Sequence, residues 1–82
     1  MLTESFQRKL HARSSNNRGS LLDSKQCGCF FCLRIFNPEK IQDWIQEETA
    51  VCPFCAVDSV IPESEEYDLT DQLLLDMKDY WF

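Results

Sequence analysis

The sequence predicts a small α+β domain with two cysteine knuckles at its centre and helices at both flanks. Three observations predict it. The chain has 82 residues, and a core of that size supplies only about 3–5 kcal/mol, so a staple is expected. Two pairs, Cys29-x2-Cys32 and Cys52-x2-Cys55, are separated by 19 residues. Helix-type spacing of apolar residues alternates with short extended runs around those pairs. A hydrophobic fraction of 44% and an aromatic fraction of 12% argue against a disordered chain.

The elements follow in order. Residues 3–13, TESFQRKLHAR, read as a short helix, with Thr3 as cap and Phe6 and Leu10 at i, i+4. SSNNRGS breaks that pattern. It reads as a second helix start, with Ser15 or Asn16 as N-cap and Leu21 and Leu22 reaching the core. Residues 1–26 thus form an N-terminal helical segment, and residues 27–82 form the core. LRIF (33–36) suits a strand. In NPEKIQDWIQEE, Asn37 caps, Pro38 sits at the first helical position, and Ile41, Trp44 and Ile45 make a stripe. That pattern predicts a helix over 38–47, inserted between the knuckles. TAV (49–51) returns as a strand, and VDSVIP (57–62) is extended. The end, LTDQLLLDMKDYWF, predicts a helix over 70–81 capped by Thr70. Leu73, Met77, Tyr80 and Trp81 form its expected buried face, and the terminal aromatics are expected to close the core.

The cysteine spacing carries the chemistry. Two residues between cysteines bring both sulfurs onto one ion, and two such knuckles complete a tetrahedron. Cys29, Cys32, Cys52 and Cys55 are the expected metal ligands. Zinc (Zn2+) suits four thiolates and is redox-inert. Iron is the alternative, since rubredoxins hold iron with paired knuckles. Those usually place Gly after the second cysteine, where this chain has Leu33 and Ala56. The expected core is therefore zinc-ribbon or rubredoxin-like. A treble clef is the alternative, but it needs a helix start at the second pair, and AVDSVIP does not read as one. Cys27 is surplus: a small buried hydrophobe, or an alternate thiol activated by nearby Lys25.

Charge narrows the partners. Residues 1–26 carry five Lys/Arg and two acids, and residues 27–82 carry three and twelve. So acidic a body repels phosphate backbones. Nucleic acid is the less expected partner, with Arg8, Lys9, Arg13 and Arg18 its only candidates. A protein partner is favoured. No apolar run approaches membrane-spanning length, and the basic start lacks the apolar region of a secretory signal. A reducing, cytoplasmic setting is expected, where paired cysteines hold metal. A closed four-thiolate site has no open position for a catalytic water, so enzyme activity is not the leading expectation.

The stretches SSNNR, CGCFFCLRIF, TAVCPFCAVDSVI and YWF together resemble a family of small bacterial cytoplasmic proteins, over roughly residues 14–82. The resemblance implies a bacterial metal-binding protein and brings no activity with it. This chain departs from the pattern at Ala56 and Pro62, where Gly is expected. The likeness draws attention to Ser15, Asn16, Asn17 and Arg18, and to Asp58 and Ser59. Each has a local explanation, such as Asn16 as a cap or Asp58 accepting knuckle N–H groups. A joint explanation is a polar site for a small ligand, with Arg18 binding an anion and Asp58 pairing with it or orienting a substrate. That is the basis of a sensor or minimal-enzyme alternative. His11, the only histidine, reads as a solvated side chain.

Overall fold

A three-stranded antiparallel sheet divides this molecule into a thiol side and a helix side. The computed structural model describes residues 2–82. The elements are α1 (Glu4–Ala12), α2 (Arg18–Leu22), β1 (Cys27–Cys29), β2 (Ile35–Phe36), a 3-10 turn (Pro38–Lys40), β3 (Trp44–Ile45), β4 (Thr49–Ala50), β5 (Val60–Pro62) and α3 (Asp71–Trp81). β1 lies between β2 and β5, and β3 and β4 form a separate hairpin. The result is a small α+β fold with three helices and short antiparallel sheets, compatible with a zinc-ribbon-like core.

Side-chain alternation along the strands explains the two sides. In β1, Cys27 and Cys29 point to a cluster with Leu21, Phe36, Ile41, Ala50, Cys52 and Val60. Ile61, one residue on from Val60, points the other way, into Leu10, Phe30, Tyr67, Leu73, Leu74 and Met77. Gly28 also faces the helices. A Cβ there would lie 3.0 Å from Leu74 Cδ1 and 3.1 Å from Leu69 Cδ1, so the missing side chain lets α3 lie directly on the sheet. Pro62 costs little at the end of β5, an edge strand. The Tyr67 hydroxyl closes the following turn by donating to the Pro62 carbonyl. The N-terminal segment contributes to both clusters, through Leu21 on one side and Leu10 on the other.

Two helices follow their local signals. Thr3 Oγ1 accepts the Phe6 N–H at 3.1 Å, and Thr70 Oγ1 accepts the Leu73 N–H at 3.2 Å. The phase of α3 differs from expectation. Leu74, Met77 and the half-buried Trp81, at i, i+3 and i+7, define its inner stripe with Leu73. Tyr80 is one residue out of that register, 46% exposed, and Phe82 is 61% exposed. The terminal aromatics therefore do not close the core as a group; only Trp81 turns inward. Likewise Leu22 points to solvent while Leu21 is buried.

The inserted helix expected over 38–47 is a correction. Asn37 does cap, with Oδ1 accepting the Glu39 N–H at 2.9 Å, but only one 3-10 turn follows. Ile41 is already extended, and Trp44 and Ile45 pair with Ala50 and Thr49. A ten-residue helix is marginal alone, whereas a hairpin returns the chain to the second knuckle. Its turn is held from outside: the Arg18 guanidinium donates to the Glu47 carbonyl at 2.9 Å, and the Arg18 N–H donates to the Glu48 carbonyl at 3.0 Å. Gln46 and Glu47 adopt positive φ there, a cost that these tertiary bonds offset.

Candidate metal centre

The two knuckles have the same backbone geometry. In the first, the Leu33 N–H donates to the Cys29 carbonyl at 2.9 Å, and the Cys29 N–H donates to the Arg34 carbonyl at 3.0 Å. In the second, the Ala56 N–H donates to the Cys52 carbonyl at 2.9 Å, and the Cys52 N–H donates to the Val57 carbonyl at 3.0 Å. The residue after each second cysteine is left-handed, Leu33 with φ 67° and Ala56 with φ 64°. These are the positions where glycine is usual. Leu33 offsets the strain by packing against the helix-side cluster. Ala56 is exposed and has no such compensation. Ala56→Gly is expected to raise stability by about 0.5–1 kcal/mol, read as a higher midpoint in denaturant with the metal held constant.

These turns bring Cys29, Cys32, Cys52 and Cys55 together, with all four sulfurs within 4.8 Å of one another. Cys29 Sγ is 3.6 Å from Cys55 Sγ, and Cys32 Sγ is 3.7 Å from Cys52 Sγ. A tetrahedral ion with metal–sulfur bonds of about 2.3 Å requires sulfur–sulfur edges of about 3.8 Å. All five cysteines are free thiols. Donor type, number and spacing therefore fit a divalent ion held by four thiolates. Cys29 and Cys52 are the inner pair, buried, and Cys32 and Cys55 are the outer pair, partly exposed.

Hydrogen bonds aim at the sulfurs. The Phe31 N–H donates to Cys29 Sγ at 3.4 Å. The backbone N–H groups of Arg34 and Val57, in corresponding positions, serve Cys32 and Cys55. Ser59 Oγ, fully buried, lies 3.0 Å from Cys29 Sγ and donates to it once the sulfur is a thiolate. Burial opposes the charge on Cys29, but the bonds from Ser59 and from the Cys32 and Phe31 N–H groups outweigh it and hold the thiol below its ordinary pKa. Hydrogen-bond donors that touch a metal-ligating atom in this way are worth about 10–100-fold in metal affinity. Ser59→Ala is expected to weaken metal binding by that factor in a chelator competition, with the fold retained at saturating metal.

Cys27 stands apart from the four. Its Sγ donates to the Phe36 carbonyl at 3.4 Å. Burial, aided by the neighbouring sulfurs Cys52 and Cys29, pushes its thiol up to about 12. It is a packed, protonated side chain, and Lys25 does not activate it. Cys27→Ser is expected to leave metal stoichiometry unchanged.

The remaining polar candidates do not converge on one site. Asn17, at the start of α2, buries its side chain: Nδ2 donates to the carbonyls of Arg13 and Val60, and Oδ1 accepts the Ala50 N–H. Asn16 is left-handed, φ 50°, and its N–H donates to Thr49 Oγ1. Ser15 is exposed. Arg18 is committed to the β3–β4 turn and lies over the Trp44 ring, 4.9 Å from its centroid. Asp58 is exposed, and among the described residues no ion pair joins it to Arg18. Ser59 alone of this set touches the thiols. His11 stacks on Trp81 with ring centroids 4.1 Å apart and is not one of the four residues that converge. Sequence reading passed over Phe31 and Phe54, which occupy the same position in the two knuckles. Their repetition in CFFC and CPFC was the available signal. No known protein family matches the chain, and neither does any curated protein or any solved structure.

Proposed function

We propose that this chain is a non-enzymatic interaction module, stapled by one zinc ion on Cys29, Cys32, Cys52 and Cys55. The observation that carries the reading is the closed donor set. Four protein thiolates satisfy a tetrahedral ion, which leaves no position for a substrate or an activated water. When bound, the ion cross-links the two knuckles and supplies no reaction chemistry. The hairpin-borne knuckles and the absence of a helix at residues 55–59 favour a zinc-ribbon or rubredoxin-like core over a treble clef. Kinship with the small bacterial cytoplasmic proteins belongs to the same reading.

Nucleic-acid binding through the N-terminal segment is disfavoured. Arg8 pairs with Glu4, Arg13 pairs with Glu66, and Arg18 is committed to the β3–β4 turn. Only Lys9 of the four candidates is left without such a role. The test is native mass spectrometry of the purified protein. One zinc per chain is the expected result. Iron, with visible colour, overturns the zinc assignment, and a metal-free folded monomer overturns the staple.

A further inference from the structure

We propose that the knuckle tips form a docking face for an acidic, apolar peptide segment of a protein partner. The proposal rests on the interaction-module reading and names the face and its ligand. Phe31 and Phe54, each two residues after the first cysteine of its knuckle, are 37% and 47% exposed. Phe82 stands edge-on to Phe31, with ring centroids 4.9 Å apart. These three of the chain's six phenylalanines lie outside both core clusters; Phe54 and Phe82 each rest against one core ring, Phe36 at 5.3 Å and Phe30 at 5.8 Å, and leave much of their own surface to solvent. Exposed aromatic rings clustered at one place mark interaction surfaces.

The cations beside the rings specify the ligand. Arg34 Cζ lies 4.6 Å from the Phe54 ring centroid, and Lys78 Nζ lies 5.3 Å from that of Phe31. Arg34 comes from the first knuckle and reaches the tip of the second, so it joins the two tips into one band. Residues 27–82 hold three Lys/Arg against twelve acids, and two of those three cations are here. The band is thus a cationic, aromatic island on an acidic body. A polyanion would bring a charge with every nucleotide against that body and against the thiolates beneath the tips. A peptide with one or two carboxylates flanking an apolar anchor meets Arg34 and Lys78 alone, and its anchor covers the rings. A second copy sets a net charge of −6 against −6, so repulsion between the two bodies opposes it where a short segment with one or two carboxylates is not opposed.

A random-peptide display library selected on the zinc-loaded protein tests this. The expected result is enrichment of sequences with Asp or Glu flanking an apolar or aromatic residue. Their affinity should fall about tenfold or more on Phe31→Ala with Phe82→Ala, and fall with added salt. Arg34→Glu with Lys78→Glu should shift enrichment to basic peptides. Zinc stoichiometry and circular dichroism should be unchanged in both variants, because none of the four side chains is a thiol ligand and Phe31 and Phe82 are 37% and 61% exposed. The proposal is overturned by enriched peptides that lack acids, or that bind the double alanine variant as tightly as the parent. It is equally overturned by tighter binding of an oligothymidylate, by self-association through these residues, or by no enrichment. In each of those cases an intact zinc count leaves the staple standing, so the two readings fail separately.

Discussion

Cys29→Ser or Cys52→Ser abolishes metal binding and the fold together. Both residues belong to the inner, buried pair, and each also anchors its knuckle through backbone bonds to the residues four and five positions on. Structural zinc contributes roughly 10–16 kcal/mol of apparent binding energy, against about 3–5 kcal/mol from a core of this size. Losing one thiolate from a four-thiolate set removes enough of that term to leave the unfolded chain favoured. The expected observation is loss of zinc by native mass spectrometry with collapse of the near-UV circular dichroism. A strong chelator should unfold the parent protein in the same way, reversibly on return of zinc. A Cys29→Ser or Cys52→Ser protein that still melts cooperatively near the parent temperature overturns the dependence of the fold on the metal. Cys27→Ser is the internal control, since its sulfur bonds only to the Phe36 carbonyl.

Asn17→Ala lowers stability by about 3–5 kcal/mol while leaving the four thiols in place. Asn17 is buried and makes three hydrogen bonds, at 2.9 Å to the Arg13 carbonyl, 2.8 Å to the Val60 carbonyl and 3.2 Å from the Ala50 N–H. Alanine strands those backbone groups away from water, at about 1–3 kcal/mol each. One side chain here ties the end of α1, the edge strand β5 and the hairpin strand β4 together. The measurement is denaturant unfolding at fixed free zinc, because metal binding adds to apparent stability. Asn17→Asp is expected to be at least as damaging, since a carboxylate cannot donate to either carbonyl. A loss below about 1 kcal/mol overturns the role of Asn17 as the tie between these segments. Asn16→Gly is the contrast: its φ of 50° suits glycine, so little or no loss is expected.

Much of the site was legible because its constraint is short-range. The two-residue gap within each pair and the 19 residues between them selected Cys29, Cys32, Cys52 and Cys55, and these are the four that converge. Glycine's absence after each knuckle is also visible in the sequence; that Leu33 and Ala56 are left-handed is decided by the knuckle turns. The resemblance also draws attention to Ser59. Its role as a donor to Cys29 was not visible, because the 30 residues between them are closed only by the pairing of β1 with β5. The resemblance places Asn17 and Arg18 in a ligand-facing group. Their partners are carbonyls and an N–H on β4, β5 and the hairpin turn, which no spacing rule connects to them.

The helix ends show where local terms prevail. Thr3 and Thr70 cap α1 and α3 where their side chains predict, since capping is settled within one turn. Asn37 and Pro38 made an equally good start, and the chain left it after one turn. A cap stabilises by about 1 kcal/mol, and the two bonds from Arg18 to the hairpin turn and the burial of Ala50 and Cys52 favour the hairpin against it. Chain-local chemistry thus settled the four thiols, the knuckle turns and the two flanking helices, because each depends on residues within a few positions. Tertiary packing decided the β3–β4 hairpin, the inward turn of Trp81 without Tyr80, the burial of Asn17 and the exposure of Phe31, Phe54 and Phe82. Those outcomes depend on which face of a three-stranded sheet each residue meets, and that is set by partners far away in the chain.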